Sequence, residues 1–148
     1  MIQVRTILAA AAIALSMPMA APAAAQDFPL VAGDYAEFSG IYVEDGAAFK
    51  YARHLADQWV KSQEFAKKQG WISDYKIYMN VNPREGEPNI YLMTSFASMP
   101  DAAEQDRRAK AYDKWAQKTA QQMIAESGNR AEYRKLLSSI LVQEYTPR

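Results

Sequence analysis

Histidine is the side chain best suited to proton transfer near neutral pH, and the chain contains one, His54. In residues 47–69, Tyr51, Leu55 and Trp59 recur at helical spacing, which places His54 at the edge of a buried stripe. An imidazole there could act as a general base or as a haem ligand, but the sequence supplies no partner for either role. We therefore expect a half-packed, non-catalytic histidine that titrates near roughly 6.5.

A second set of side chains suits ligand binding better than catalysis. Residues 72–81 and 89–97 alternate as strands, and one face of the pair carries Tyr78, Asn80, Tyr91, Met93 and Ser95. Aromatic surface with a few polar groups is typical of a small-molecule site. Tyrosine is also common where two proteins meet. The pattern therefore indicates either a ligand site or the interface of a dimer.

Other chemistries find little support in the residues. Zinc sites need several Cys, His or carboxylate ligands, and the chain has no cysteine and a single histidine. Glu85 and Glu87 alternate on a loop that offers too few oxygen ligands for calcium. Ser95 is not part of a nucleophile elbow, and no phosphate loop or dinucleotide fingerprint is present. We expect no metal and no cofactor.

Hydrophobic spacing indicates the elements that must position these residues. Aromatic and β-branched side chains favour a strand over 35–44. Helical spacing predicts a helix over 47–69, which ends at Gly70 after a cationic last turn. The runs 72–81 and 89–97 then form a hairpin, because the segment between them holds two prolines and a glycine.

The remaining residues predict two helices and a strand. Ser98 can cap a second helix that ends at Gly128 and carries an apolar stripe of Tyr112, Trp115, Ala116, Thr119, Ala120 and Met123. Asn129 and Glu132 resemble the capping box of a short third helix, whose buried residues would be Tyr133, Leu136, Leu137 and Ile140. Residues 141–145 predict the last strand.

This element order predicts one α+β domain over 35–148 with ferredoxin-like βαββαβ topology and an extra short helix before the last strand. Right-handed crossovers place the first and third strands side by side, the second and fourth at the edges, and the helices on one face of the antiparallel sheet. The other face would then be bare, although Phe38, Tyr42, Tyr91 and Met93 lie on it. Large exposed apolar patches are uncommon on monomers, so we expect a second copy to cover this face.

The first 25 residues predict a secretory signal peptide. Arg5 precedes a short apolar run that is broken by proline and ends in small residues at Ala23–Ala25. The run is shorter than the roughly 20 residues that span a bilayer, so a cleaved peptide is favoured over a membrane anchor. Cleavage after Ala25 would leave residues 26–34 as an N-terminal arm, and the mature protein would be periplasmic or secreted.

Composition narrows the range of partners. The chain has 17 basic and 17 acidic residues, and removing residues 1–25 takes only Arg5, which leaves 16 against 17. A nearly neutral domain without a basic cluster does not suit nucleic acid or an anionic membrane surface. Stability must come from a packed core, because no disulfide can form without cysteine.

The element order and the apolar second face resemble the dimeric α+β barrel (ferredoxin-like) superfamily, which includes antibiotic-biosynthesis-type and haem-degrading monooxygenases. The resemblance spans nearly the whole mature chain and carries no motif of one specific family. It implies a homodimer with a ligand space between sheet and helices. Haem-degrading relatives have a histidine-containing motif in the helix after the third strand, and this chain has no histidine there.

We therefore expect an exported homodimer that binds a small apolar or aromatic ligand or serves a structural role. The alternative is a cofactor-independent monooxygenase- or isomerase-like enzyme in which His54 faces the ligand space.

Overall fold

The computed structural model describes residues 28–148, so the predicted signal peptide lies outside the described residues. The strands are β1 (Leu30–Val43), β2 (Asp74–Met79), β3 (Ile90–Phe96) and β4 (Arg134–Pro147). The helices are α1 (Ala48–His54), α2 (Val60–Lys68), α3 (Ala102–Ala116) and α4 (Ala120–Arg130), and a π-helical turn, Leu55–Trp59, joins α1 to α2 without a break.

The four strands form one antiparallel sheet in the order β2-β3-β1-β4, which confirms the α+β class. Strands β3 and β1 therefore lie at the centre, and β2 and β4 are the edges. β1 starts at Leu30, earlier than the predicted residue 35, because its first residues pair with the end of β4. Leu30 lies opposite Pro147, so the second half of the predicted arm belongs to the sheet.

The core lies between the central strands and the continuous helix formed by α1, the π-helical turn and α2, which we call the first helix. Ile41 and Val43 of β1 and Ile90 and Leu92 of β3 project to one side of the sheet, where Tyr51 and Leu55 pack on them. We call this the helix side. Burying a side chain of this size stabilises a fold by about 1.5–3 kcal/mol, so these six residues anchor the helix.

The predicted second helix is two helices. Asp101, rather than Ser98, caps α3 by accepting a hydrogen bond from the backbone N–H of Glu104 at 2.8 Å. α3 ends where Gln117 adopts a left-handed conformation with φ of 53°. Thr119 and Gln122 then form a capping box that starts α4. The predicted apolar stripe includes Thr119, but in the structure the Thr-x-x-Gln signal marks the start of a new helix.

The predicted third helix is wrong, because its residues from Arg134 onward belong to β4. Residues 134–147 pair along nearly the whole of β1, with Ile140 opposite Phe38 and Leu136 opposite Ile41. The long ladder with β1 prevails over the local capping pattern at Asn129, which lies inside α4. The extra helix before the last strand is therefore α4, and the leucines expected to be buried in a helix are exposed on an edge strand.

The helices cover only part of the helix side. α3 packs on α2, where the rings of Phe65 and Trp115 stack at 4.7 Å between centroids. On β4, Leu136 lies on the helix side and is 56% exposed. The expectation that the helices shield one whole face is therefore wrong for β4, because α3 and α4 stand against the first helix instead of over this edge.

Candidate ligand cavity

A cavity of about 390 Å³ lies on the outer side of the first helix, between that helix and the pair α3 and α4. The first helix contributes His54, Asp57, Gln58, Trp59, Lys61 and Ser62. The other wall consists of Tyr112, Trp115, Ala116, Lys118, Met123, Glu126 and Arg130. The volume falls within the range of roughly 300–1,000 Å³ that is typical of small-molecule sites.

Aromatic rings form the apolar part of the cavity, and each packs against another aromatic side chain. Trp115 stacks on Phe65 and lies 5.3 Å from Tyr112 between ring centroids. Across the cavity, Trp59 packs edge-on against Tyr75 at 5.5 Å, and the Tyr75 hydroxyl donates a hydrogen bond to Glu64 at 2.5 Å. Because these rings are already packed, a flat ligand would meet preformed surfaces.

The first helix widens where it lines the cavity. The backbone N–H of Val60 donates to the carbonyl oxygen of Leu55, five residues earlier, which defines the π-helical turn. The Ser62 hydroxyl donates to the carbonyl oxygen of Trp59 at 2.7 Å and so takes up an acceptor next to this turn. Single π-helical turns are rare and frequently occur at functional sites.

The charges of Glu126 and Arg130 act on His54, whereas Tyr112 and Trp115 pack against Phe65, further along the first helix. We call the part of the cavity near His54 the charged end. The Lys118 ammonium contacts the Glu126 carboxylate, with Nζ 2.6 Å from Oε1 and 2.9 Å from Oε2. The hydrogen bond from Lys118 lowers the pKa of the Glu126 carboxyl group. Arg130 lines the same end, and its Nε is buried. Within residues 28–148, that Nε–H meets no hydrogen-bond acceptor.

His54 is half-buried and lines the cavity, with its ring centroid 5.7 Å from that of Tyr51. Burial lowers the pKa of His54, and the positive charges of Arg130 and Arg134 lower it further. The expectation that His54 titrates at its ordinary value is therefore wrong. The sequence could not show that two arginines from the other end of the chain approach this imidazole.

The five predicted binding residues lie elsewhere, on the hairpin of β2 and β3. Tyr78 and Tyr91 are paired across the strands, and their side of the sheet faces away from the helices. Met93 is already buried on this side, where Phe38 is its cross-strand neighbour. We call this side of the sheet the open face. None of the five lines the cavity described above.

The two polar members of that set are held by neighbouring groups. The Asn80 side-chain amide donates to the carbonyl oxygen of Pro88 at 3.0 Å and thus braces the hairpin loop. The Ser95 hydroxyl lies 3.1 Å from the hydroxyl of Ser73. The structure thus brings the predicted residues onto one surface, where their polar groups already have partners within the chain.

Sequence reasoning missed most of the cavity wall. The sequence predicts Tyr112, Trp115 and Met123 as an apolar helical stripe, and it assigns no role to Lys118, Glu126 and Arg130. The sequence did contain a usable signal, namely the aromatic residues of the later helices together with His54 on the first helix. If those helices pack against each other, these side chains meet between them.

Metal and membrane chemistry find no support among the described residues. Within 28–148, no group of three or more His, Cys, Asp or Glu side chains is close enough to hold a metal ion. In the same part of the chain, no helix has the length and apolar character needed to cross a bilayer.

The chain matches no known protein-family model, and a search of curated proteins finds no significant match.

Proposed function

We propose that this protein is an exported homodimer that binds a small, flat, apolar or aromatic molecule in the cavity between the first helix and α3–α4. The observation that carries the proposal is the lining itself. Trp59, Tyr112, Trp115 and Met123 provide apolar walls, and around them lie polar and charged side chains: His54, Asp57, Gln58, Lys61, Ser62, Lys118, Glu126 and Arg130. The aromatic rings can bury a flat ligand, and the many polar side chains beside them can orient it.

A cavity-filling substitution tests this proposal. Ala116 lines the cavity near the end of α3, so Ala116→Phe should occupy the ligand space. Ala109 lies exposed on the same helix, and Ala109→Phe is the matched control. The probe is N-phenyl-1-naphthylamine, a neutral dye whose fluorescence rises in apolar sites. We expect Ala116→Phe to weaken its binding at least tenfold and Ala109→Phe to change it less than twofold.

Circular dichroism and the melting temperature of both variants establish that they are folded. A wild-type protein that binds neither this dye nor any other small aromatic compound would contradict the proposal. Equal binding by wild type and Ala116→Phe would place the ligand elsewhere, with the open face and its Tyr78, Tyr91 and Met93 as the next site to examine.

A second candidate is cofactor-independent catalysis, as in a monooxygenase or an isomerase. The observation that favours it is the position of His54 in the cavity with a lowered pKa, because a neutral imidazole can accept a proton at pH 7. The test is incubation of the protein with the ligand that co-purifies from its native host. A product formed by the wild type and lost in His54→Gln would support an enzyme, and an unchanged ligand would support binding alone.

The open face supports the proposed dimer. Tyr78, Ile140 and Val142 project from it and are exposed, and Phe38 stacks near Tyr78 at 6.3 Å between ring centroids. Two such faces could pack together as in the dimeric α+β barrel superfamily, which the antiparallel sheet and its bare side favour. A ferredoxin-like arrangement within that superfamily is part of this proposal.

Export is proposed from residues 1–25 alone. Arg5, the short apolar run and the small residues before Gln26 suit a signal peptidase site. The intact mass of the protein from its native host tests cleavage after Ala25. A mature chain that still begins at Met1 would contradict export through this route.

A further inference from the structure

We propose that the ligand is an aromatic anion, such as an aryl carboxylate, whose acidic group is bound by Arg130 at the charged end of the cavity. This inference rests on the proposed function, because it names the class of ligand for the same cavity. The ligand would then need a negative charge near α4 as well as a flat ring that fits between the aromatic side chains.

Arg130 has a carboxylate nearby but no direct ion pair with it. The hydrogen bond from Lys118 lowers the pKa of Glu126, one turn earlier on α4, and the charge of Arg130 contributes a smaller lowering. Lys118 and Glu126 neutralise each other through their short contact. Lys61 and Asp57 lie on the first helix and carry opposite charges, and neither takes part in an ion pair among the described residues. Among the described residues, Arg130 takes part in no ion pair.

A position near the end of a helix is by itself an ordinary place for a cation, since the helix dipole attracts positive charge there. That explanation suits an exposed arginine. In Arg130 the Nε atom is buried, and its N–H has no acceptor in residues 28–148. Because this Nε faces the protein, a ligand in the cavity would meet the guanidinium group through its two Nη atoms, which can bind a carboxylate in the bidentate manner.

Arg134 strengthens the positive field at this end. Its Nε is also buried without an acceptor among the described residues, and its other nitrogen, Nη2, donates to the Ser127 hydroxyl at 3.2 Å. Both arginines act on His54, which lines the same cavity. Two guanidinium groups beside a largely neutral imidazole form a site that favours a negative charge.

The geometry also explains why the ligand should be aromatic as well as anionic. Trp59, Trp115 and Tyr112 line the cavity, and the last two pack against Phe65, whereas Arg130 acts on His54 near the start of the same helix. A carboxylate can accept two parallel hydrogen bonds from one guanidinium group, which fixes its orientation. A flat anion would thus place its ring between the aromatic walls and its acid at Arg130.

The experiment compares two nearly isosteric probes, naphthalene-2-carboxylate and 2-naphthamide, by isothermal titration calorimetry. They differ in the charge of one group. We expect the wild type to bind the carboxylate at least tenfold more tightly than the amide. In Arg130→Met, which keeps an unbranched apolar stem, binding of the carboxylate should weaken at least tenfold and binding of the amide should change less than twofold.

Arg107→Met is the matched control, because the Arg107 side chain is 77% exposed on α3. It should leave the affinity for both probes unchanged, which excludes a general effect of net charge. Unfolding curves of the two variants report whether each remains folded. If Arg130→Met fails to fold, Arg130→Lys keeps the charge without the planar fork and should retain a preference for the carboxylate that is weaker than that of the wild type.

The outcomes separate this inference from the proposed function. Binding of both probes with equal affinity, unaffected by Arg130→Met, would overturn the anion requirement and leave the aromatic cavity intact. Binding of neither probe would overturn both. A preference for the carboxylate that persists in Arg130→Met would show that another cation binds the acid and would also overturn the assignment to Arg130.

Discussion

At the scale of single residues, the charged end of the cavity depends on an unequal set of charges around His54. Arg130 and Arg134 both act on the imidazole, whereas the carboxylate that opposes them, Glu126, is bonded to Lys118. Protonating His54 would add a third positive charge to this group. The lowered pKa is therefore a consequence of which residues converge here, and it keeps the imidazole able to accept a hydrogen bond from a ligand.

The titration of His54 is the first prediction. Because it is the only histidine in the chain, its ring protons can be followed by NMR in an untagged protein without assignment. We expect a midpoint below the ordinary pKa of 6.5, and we expect Arg130→Met to move it upward by removing a nearby positive charge. A wild-type midpoint at or above 6.5 would contradict the arrangement.

The same shift predicts how stability depends on pH. The unfolded chain binds a proton at His54 more readily than the folded chain does, so acid favours unfolding. This contribution is fully present above pH 6.5 and is lost as the pH falls through the folded pKa. Urea unfolding of wild type and His54→Gln between pH 7.5 and 5 measures it. The free energy of unfolding of the wild type, relative to that of His54→Gln, should fall as the pH falls. A difference between the two proteins that stays constant with pH would contradict the prediction.

At the scale of elements, the sequence was most informative where periodicity and stop signals agreed. The first helix ends before Gly70, which has a φ of 72°, and the hairpin strands lie within their predicted bounds. The region from Asn129 onward was misread because a local capping pattern competes with pairing to β1, and pairing between residues 100 positions apart leaves no local signal. The π-helical turn likewise has no periodic signature in the sequence.

Gly40 shows how closely β1, β4 and the hairpin loop approach one another. A Cβ at this position would lie 2.4 Å from Oγ of Ser138 and 2.6 Å from Cγ of Pro88. The serine could rotate away, but the proline ring has little freedom. We predict that Gly40→Ala lowers the free energy of unfolding by about 1–3 kcal/mol, the usual cost of overpacking.

Gly128→Ala is the matched control for Gly40→Ala. Gly128 lies within α4, and an added Cβ there would meet no atom within 4 Å. Replacing a helical glycine by alanine should raise the free energy of unfolding by about 0.5–1 kcal/mol. Urea unfolding monitored by tryptophan fluorescence measures both variants. Equal stability of the two would mean that the loop and β4 do not constrain β1 at this point.

At the scale of the whole molecule, the open face and β4 are the surfaces where a single chain leaves apolar side chains exposed. β4 is a long edge strand with apolar residues on both sides, and Leu137, Ile140 and Val142 are all exposed. Exposed edge strands with apolar side chains promote association. Met93, in contrast, is 7% exposed within the single chain, so a charge there would disturb each subunit as well as any interface.

Ile140 therefore gives the sharper test of the proposed dimer. It projects from the open face opposite Phe38 and is 53% exposed in the single chain, so the subunit can tolerate a lysine there. In a dimer that buries this face, Ile140→Lys would place a charge in an apolar contact. We expect the dissociation constant to rise by about 100-fold, which corresponds to about 2.7 kcal/mol.

Leu141, the residue after Ile140, projects from the opposite face of β4 and provides the matched control. Leu141 is 50% exposed but lies on the helix side, so Leu141→Lys should leave a dimer formed through the open face intact. Sedimentation equilibrium over a range of concentrations measures all three proteins. Dissociation caused by Leu141→Lys and not by Ile140→Lys would place the interface on the other side of β4. A wild type that remains monomeric at high concentration would contradict the proposed dimer. The exposed open face would then need a partner other than a second copy.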